Sequence, residues 1–309
     1  NHILSTKSEG MVAVNSQNQE VSEDDLMRLE EVATIGKIPA NREILDFIPY
    51  SYCLDGQDGI SDPLGMRGTR LEVRANVISG MIPHIENLRQ VAEKSQIEPT
   101  RVIPSVLAAS TAVLSEKQKE NGVALIDFGA TTTGIAIFED GDLQYLRVIP
   151  IGGNNITNDL AICLKVTPEV AEDIKIKHAI AGIRENHRDV MIKNGHEHYS
   201  FNTLEIDEVV DARLEEIFEE IQKEFKTAGC NKQLPNGVVL VGGGANMKKI
   251  AEYSKRALEL ASQIGKIDVD STISEDVKKP DFAAAVGLML ESLHYVPEER
   301  KREDLHEGF

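Results

Sequence analysis

Basic charge is what this chain most lacks. Its 33 lysines and arginines stand against 51 acids, a net charge of -18, so no long-range field draws nucleic acid or anionic lipid to it. Any polyanion it holds must be gripped by local donors. Cysteine is also scarce: Cys53, Cys163 and Cys230 are odd in number and widely spaced, with neither a Cys-x-x-Cys pair nor a histidine at metal spacing. That excludes a disulfide framework, fits a reducing cytoplasm and predicts three small core fillers. No apolar run approaches the length of a bilayer crossing, and no basic n-region with an apolar h-region opens the chain, so neither a membrane span nor a secretion signal is predicted. A P-loop is missing too: Gly36-Lys37 and Gly265-Lys266 are each followed by Ile, with no glycine in the upstream position.

What is present suffices for roughly two globular domains, since 41% of the 309 residues are apolar. Ser22-Glu-Asp-Asp25 caps a helix in which Leu26, Leu29 and Ala33 recur until Gly36. Strands are predicted at Val12 to Val14, Glu43 to Ile48 and Arg70 to Ile78, the last alternating Leu71, Val73, Ala75 and Val77 with polar residues. Together these form a small α+β unit. Helices follow at Glu86 to Lys94 and Ser105 to Leu114, with a short strand at Arg101 to Ile103 between them. Further helices are predicted at Ile156 to Leu164, Glu169 to Ile180 and Asp207 to Lys226, the last with Val210, Leu214, Ile217, Ile221 and Phe225 on one stripe and Gly229 closing it. Asn194 to Ser200 reads as a polar loop, and its His196-x-His198 lacks a third ligand, which favours surface over metal site.

Two glycine turns carry the chemistry. Val123 to Ile126 and Ile135 to Phe138 read as buried strands around Asp127-Phe-Gly-Ala-Thr-Thr-Thr133. Gly129 permits close backbone approach to a ligand, Thr131 and Thr132 add donors, and Asp127 offers a hard oxygen for the water shell of Mg, so the turn suits a Mg-bound phosphate. The same Asp-x-Gly also serves as an ordinary turn. Asp140-Gly141 then leads into Leu143 to Pro150, completing a three-strand meander. The second turn, Gly242-Gly243-Gly244-Ala245-Asn246, joins the apolar strand Val238 to Val241 to a helix predicted from Met247 to Leu260, whose N-terminus would receive a phosphate or ribose. A dinucleotide-binding fingerprint fits badly, because Met247 stands where a third glycine is needed.

Both turns in this order resemble the actin-like ATPase superfamily, an α/β, ribonuclease-H-like fold of two lobes closing on ATP and Mg. The resemblance implies that Asp127, Gly129, Ala130, Thr131 and Thr132 face the phosphates. It places Gly242, Gly243, Gly244 and Ala245 at the adenosine, with Asp127 holding Mg through water. A second-lobe helix of that superfamily also contacts the nucleoside, and Ala171-Glu-Asp-Ile-Lys-Ile-Lys177 looks like it, with Glu172 and Lys175 three apart on one face. Within the superfamily the chain resembles the FtsA family of bacterial cell-division proteins. The matches are Asp62 to Met66 with Gly68 to Val73, Val148 to Gly153 with Ile156 to Asp159, AEDIKIK, Val238 to Ala245 and Phe282 to Leu288.

That resemblance implies an FtsA-type α+β insertion at 1–81 and a remnant of the first lobe at 82–119. The second-lobe core would be 120–166 with 237–279, its small subdomain 167–236, and 280–309 a helix returning to the first lobe plus a tail. It implies an adaptor of the divisome at the division septum, on the inner face of the cytoplasmic membrane. Such an adaptor is at most a weak ATPase, self-associates into filaments, takes the FtsZ tail peptide on 167–236 and meets other division proteins through 1–81. A PilM-like pilus scaffold, and more remotely a hydrolase or sugar kinase of the same superfamily, remain alternatives. Two departures are expected to matter. FtsA-like turns carry further glycines where Ala130 and Thr131 stand and an acid at Gly134, so nucleotide affinity or turnover should be altered. The first phosphate hairpin is not found, the chain starts at Asn1, and Pro297 to Phe309 lacks the apolar stripe of a membrane helix; truncation at both ends, with an incomplete first lobe, is therefore expected.

Overall fold

A computed structural model describes residues 2–15, 18–194, 197–230, 234–267 and 274–294. The chain opens with β1 (Ile3–Ala13) and α1 (Glu23–Thr34), then β2 (Arg42–Leu54), β3 (Gln57–Ile60) and β4 (Arg70–Met81). Ser22 caps α1 as its sequence requires: its backbone N–H donates to the Asp25 carboxylate at 3.0 Å and its hydroxyl accepts from the Asp25 N–H at 3.3 Å. Strand β1 is far longer than the Val12 to Val14 expected. Its polar sequence carries no strong local signal, and it is extended because β4 pairs with it from Ile3↔Gly80 to Ala13↔Arg70. Leu71, Val73 and Ala75 of β4 meet Leu29 and Ala33 of α1, as their alternation predicts. Asn76 breaks the pattern. It is buried, and its amide donates to the Leu143 carbonyl at 2.5 Å and accepts from the Ser5 hydroxyl at 3.2 Å.

After β4 come α2 (Ile82–Lys94), α3 (Ser105–Val113) and α4 (Glu116–Asn121). The strand expected at Arg101 to Ile103 does not form, since no neighbouring strand offers it a ladder. Then β5 (Val123–Phe128), β6 (Thr133–Glu139) and β7 (Asp142–Ile149) make the predicted meander, with Asp140 and Gly141 both at positive φ. Next follow α5 (Gly153–Leu164) and α6 (Pro168–His178). The segment read as a polar loop is instead a hairpin of β8 (Asp189–Asn194) and β9 (Glu197–Asn202), with Val190 and Ile192 inward and Met191 exposed. His198 is exposed, while His196 lies outside the described residues.

Helix α7 (Thr203–Thr227) buries the whole predicted stripe from Val210 to Phe225. It is followed by β10 (Val238–Val241), α8 (Ile250–Leu258), β11 (Ser262–Ile264) and α9 (Ala283–His294). The helix predicted from Met247 starts three residues later. Gly243–Asn246 forms a 3₁₀ turn and Lys249 takes a left-handed φ of +64° before α8 can begin. Cys163 is exposed and Cys53 and Cys230 are half-buried, so none is the fully buried filler expected.

Among the described residues nine strands form one sheet in the order β11-β10-β5-β6-β7-β1-β4-β2-β3, apart from the β8–β9 hairpin, and the bridge Leu4↔Arg147 joins its two halves. Alternation sorts each central strand between two cores. Ala124, Ile126 and Phe128, with Val238 and Leu240, face α5 to α8. Val123 and Leu125, with Val239 and Val241, face α3 and α9. Side chains such as Leu125, Ile126, Ile135 and Ile137 are fully buried. At about 1.5–3 kcal/mol for each such burial, these layers rather than the turns hold the sheet together, and the turns can be shaped for a ligand.

Candidate functional site

Strands β5 and β10 are parallel neighbours, with Asp127 opposite Val241 in register. Both glycine turns therefore leave the sheet at the carboxyl ends of adjacent strands, the place where open α/β sheets bind ligands. Beside them lies a cavity of about 370 Å³, within the usual range for small-molecule sites. Gly129, Ala130, Glu172, Lys175, Gly243 and Gly244 all line it, although more than 100 residues separate the first from the last. Thr131 is exposed at the tip of the turn, Thr132 is half-buried, and Asp127 and Gly242 lie behind the wall. Ala245 is part of the core beneath the cavity.

Local chemistry shapes the first turn. The Gly129 N–H closes it on the Thr132 carbonyl at 3.0 Å, and the Gly129 and Ala130 carbonyls accept from the N–H groups of Gly153 at 2.9 Å and Asn154 at 2.7 Å. The first turn of α5 is thus spent on holding the loop. A trans peptide sets each N–H opposite the preceding carbonyl, so the N–H groups of Ala130 and Thr131 point away from α5, and among the described residues no acceptor takes them. Both are left without a partner inside the described part of the chain, as donors for a group from outside it. Gly134, where an acid was expected from the resemblance, packs on α3, and a Cβ there would lie 2.9 Å from the Val106 Cβ.

In the second turn Gly242 has a φ of +83°, and a Cβ on it would approach Asp127 Oδ1 to 2.6 Å. Burial pushes the Asp127 carboxyl above the ordinary aspartate range, partly countered by the Ser105 hydroxyl, which donates to Oδ2 at 2.7 Å. A bound cation would stabilise its charged form.

Glu172 and Lys175 pair across one face of α6, with Lys175 Nζ 2.7 Å from Glu172 Oε2. They do not play equal parts. Lys175 is mostly buried, its side chain 14% exposed, and Nζ donates to the Gly153 carbonyl at 3.1 Å and the Thr157 hydroxyl at 2.8 Å. It clamps α6 to α5 and so to the phosphate turn. Glu172, 41% exposed, also accepts from Thr157 and keeps carboxylate capacity toward the cavity. Burial raises the Glu172 carboxyl, but the hydrogen bonds from Lys175 and Thr157 outweigh it and hold the group below the usual glutamate range. Lys175→Met is expected to lower stability by about 2 kcal/mol, read as a fall in the urea midpoint, because charged hydrogen bonds are lost inside the interface. An unchanged midpoint would contradict the clamp.

Sequence reasoning missed the remaining walls. Phe128, Ile156, Ile176 and Met247 make an apolar slot, and Asn154 and Lys248 add polar groups at its rim. Ile176 is 70% exposed beside Lys175, but a single apolar residue between charged neighbours is common on a helix surface, so the sequence carries no signal for the slot.

The fold and the paired turns define an actin-like protein. The PilM–PilN type IV pilus biogenesis complex superposes with a TM-score of 0.64 at 16% identity, covering 94% of this chain and 76% of that one. MreB5 of Spiroplasma citri bound to ADP superposes with a TM-score of 0.56 at 19% identity, covering 74% and 68%. The chain belongs to the FtsA family: the family described as Cell division protein FtsA matches residues 124–287, and the SHS2 domain inserted in FtsA matches residues 1–79. Cell division protein FtsA of Bacillus subtilis (strain 168) is 36% identical over 293 residues, 94% of this chain and 65% of that protein, so the chain spans slightly less than two thirds of that relative's length.

Proposed function

We propose that this chain binds a purine nucleoside triphosphate with Mg between its two glycine turns, as part of an FtsA-type adaptor in bacterial cell division. The observation that carries the reading is the convergence of six predicted residues from three distant segments on one cavity. The chain's residues fit the ligand. The Ala130 and Thr131 N–H groups suit phosphate oxygens, Gly129 and Gly243 keep Cβ atoms out of their way, and the apolar slot suits a base. Asp127 stands at the carboxyl end of β5 behind the cavity lining and would hold Mg through water, since that ion commonly takes one or two carboxylates and completes its shell with substrate phosphates and water. Bound Mg would neutralise phosphate charge. Glu172 then holds a hydroxyl of the sugar, and Lys175 keeps α6 in place.

The adaptor reading rests on family membership. It gives the 1–81 unit contacts with other division proteins, the 167–236 region the FtsZ tail, and the assembled protein self-association into filaments at the inner membrane face, with ATP turnover weak at most. The FtsA match over more than half the chain favours this over the pilus-scaffold alternative. Titration with a fluorescent ATP analogue is expected to saturate, more tightly in Mg²⁺ than in EDTA, and an FtsZ tail peptide is expected to bind the same chain. Absence of any saturable ATP signal would sink the nucleotide reading; binding of a pilus-protein peptide in place of the FtsZ tail would sink the adaptor reading.

A further inference from the structure

Strand alternation sends Phe128 toward the cavity and Asp127 to the opposite face, with Val123 and Leu125, toward α3. There Ser105, the first residue of α3, donates its hydroxyl to Asp127 Oδ2 at 2.7 Å. The other oxygen, Oδ1, lies so near Gly242 that a Cβ on that glycine would be 2.6 Å away. The Asp127 backbone is fixed on both sides, paired with Gly134 of β6 and Val241 of β10. The carboxylate therefore stands in a bracket, one oxygen held by a hydroxyl and the other beside a bare Cα. Neither the sequence motifs nor the family resemblance gave Ser105 a part.

We propose that Ser105 is a positioning residue, which sets the Asp127 side chain in the rotamer that serves a cation at the phosphate turn. The proposal rests on the reading of Asp127 as the cation's carboxylate. An unrestrained aspartate must lose side-chain freedom each time it engages a ligand, and a fixed hydrogen bond removes that cost in advance. One hydroxyl occupies only one of about four acceptor positions on a carboxylate, so Asp127 stays available. Ser105 also gives the site a mechanical link. Helix α3 packs on α9 as well as on β5, so any shift of the α3–α9 layer against the sheet would release the carboxylate and loosen the cation.

The test compares the chain with its Ser105→Ala and Ser105→Thr variants by two readouts. Three-bond couplings of labelled aspartate are expected to report one Asp127 rotamer in the unsubstituted chain and averaging in S105A. Binding of the fluorescent ATP analogue by S105A is expected to weaken roughly tenfold in Mg²⁺, the worth of a hydrogen bond to a charged group, and to stay within about twofold in EDTA. S105T keeps the hydroxyl and should restore both. A single Asp127 rotamer in S105A, or equal weakening with and without Mg²⁺, would overturn the proposal. If the unsubstituted chain bound no ATP analogue, the nucleotide reading would fall, and the couplings alone would then decide the role of Ser105.

Discussion

Asp207→Ala is expected to lower the unfolding free energy by about 3–5 kcal/mol, the scale of breaking a buried ion pair from one side. Asp207 is completely buried near the start of α7. Its carboxylate accepts from Arg184 three times, from Nε and Nη2 at 2.7 Å each and from the backbone N–H at 3.1 Å. The same Nη2 donates to the His178 carbonyl at 2.7 Å, at the last residue of α6. One guanidinium thus ties the end of α6 to the beginning of α7. Truncating the acid leaves that guanidinium four-fifths buried without its counter-charge.

The physics gives a control. If the loss comes from an uncompensated charge and not from the cavity, then Arg184→Met combined with Asp207→Leu should recover most of the stability, because replacing both members by apolar groups is often neutral. Urea unfolding followed by circular dichroism would measure both variants. A double variant as unstable as the single one would mean that the pair's hydrogen bonds to the α6 end, rather than its charge balance, hold this region. Since α6 carries Glu172 and Lys175, the single variant should also blur the cavity wall.

Much of this was legible because the signals were local. The Ser22 capping box, the α7 stripe from Val210 to Phe225 and the turn at Asp140-Gly141 each state their geometry within a few residues, and each forms as read. The cavity was legible in part for the same reason: a glycine after a short apolar strand marks a close approach wherever it occurs. What failed was non-local. Strand β1 is extended through its pairing with β4, some 70 residues onward, and Arg101 to Ile103 looks extended yet finds no partner. The β8–β9 hairpin was hidden by its polar side chains, although Val190-x-Ile192 and Tyr199-x-Phe201 alternate at the period of a strand. Lys175 lines the cavity, yet its hydrogen bonds were not legible. Nothing on its own helix announces that the Gly153 carbonyl and Thr157 of α5 will take its ammonium group.

Gly152→Ala is expected to weaken ATP–Mg binding on the order of 100-fold while the sheet stays folded. The reason is not backbone freedom, since Gly152 has a φ of -167°, an extended value any residue can adopt. It is space: a Cβ would lie 2.6 Å from the Gly129 carbonyl oxygen and 2.7 Å from that of Ala130. Both are backbone atoms in a closed turn, so the loop itself must retreat. Retreat breaks the bonds from the Gly153 and Asn154 N–H groups that fix those two carbonyls, and the opposed N–H groups of Ala130 and Thr131 lose their aim. Two hydrogen bonds of about 1.5 kcal/mol each account for the factor of about 100, with overpacking costing a further 1–3 kcal/mol or so of stability. Gly243→Ala provides the comparison, because a Cβ at Gly243 would meet nothing within 4 Å and should leave the melting temperature unchanged. Titration of both variants with the fluorescent ATP analogue, beside their thermal melts, separates a misaimed turn from a damaged fold. Unsubstituted affinity in G152A would mean that the grip of α5 on the turn does not set the phosphate donors.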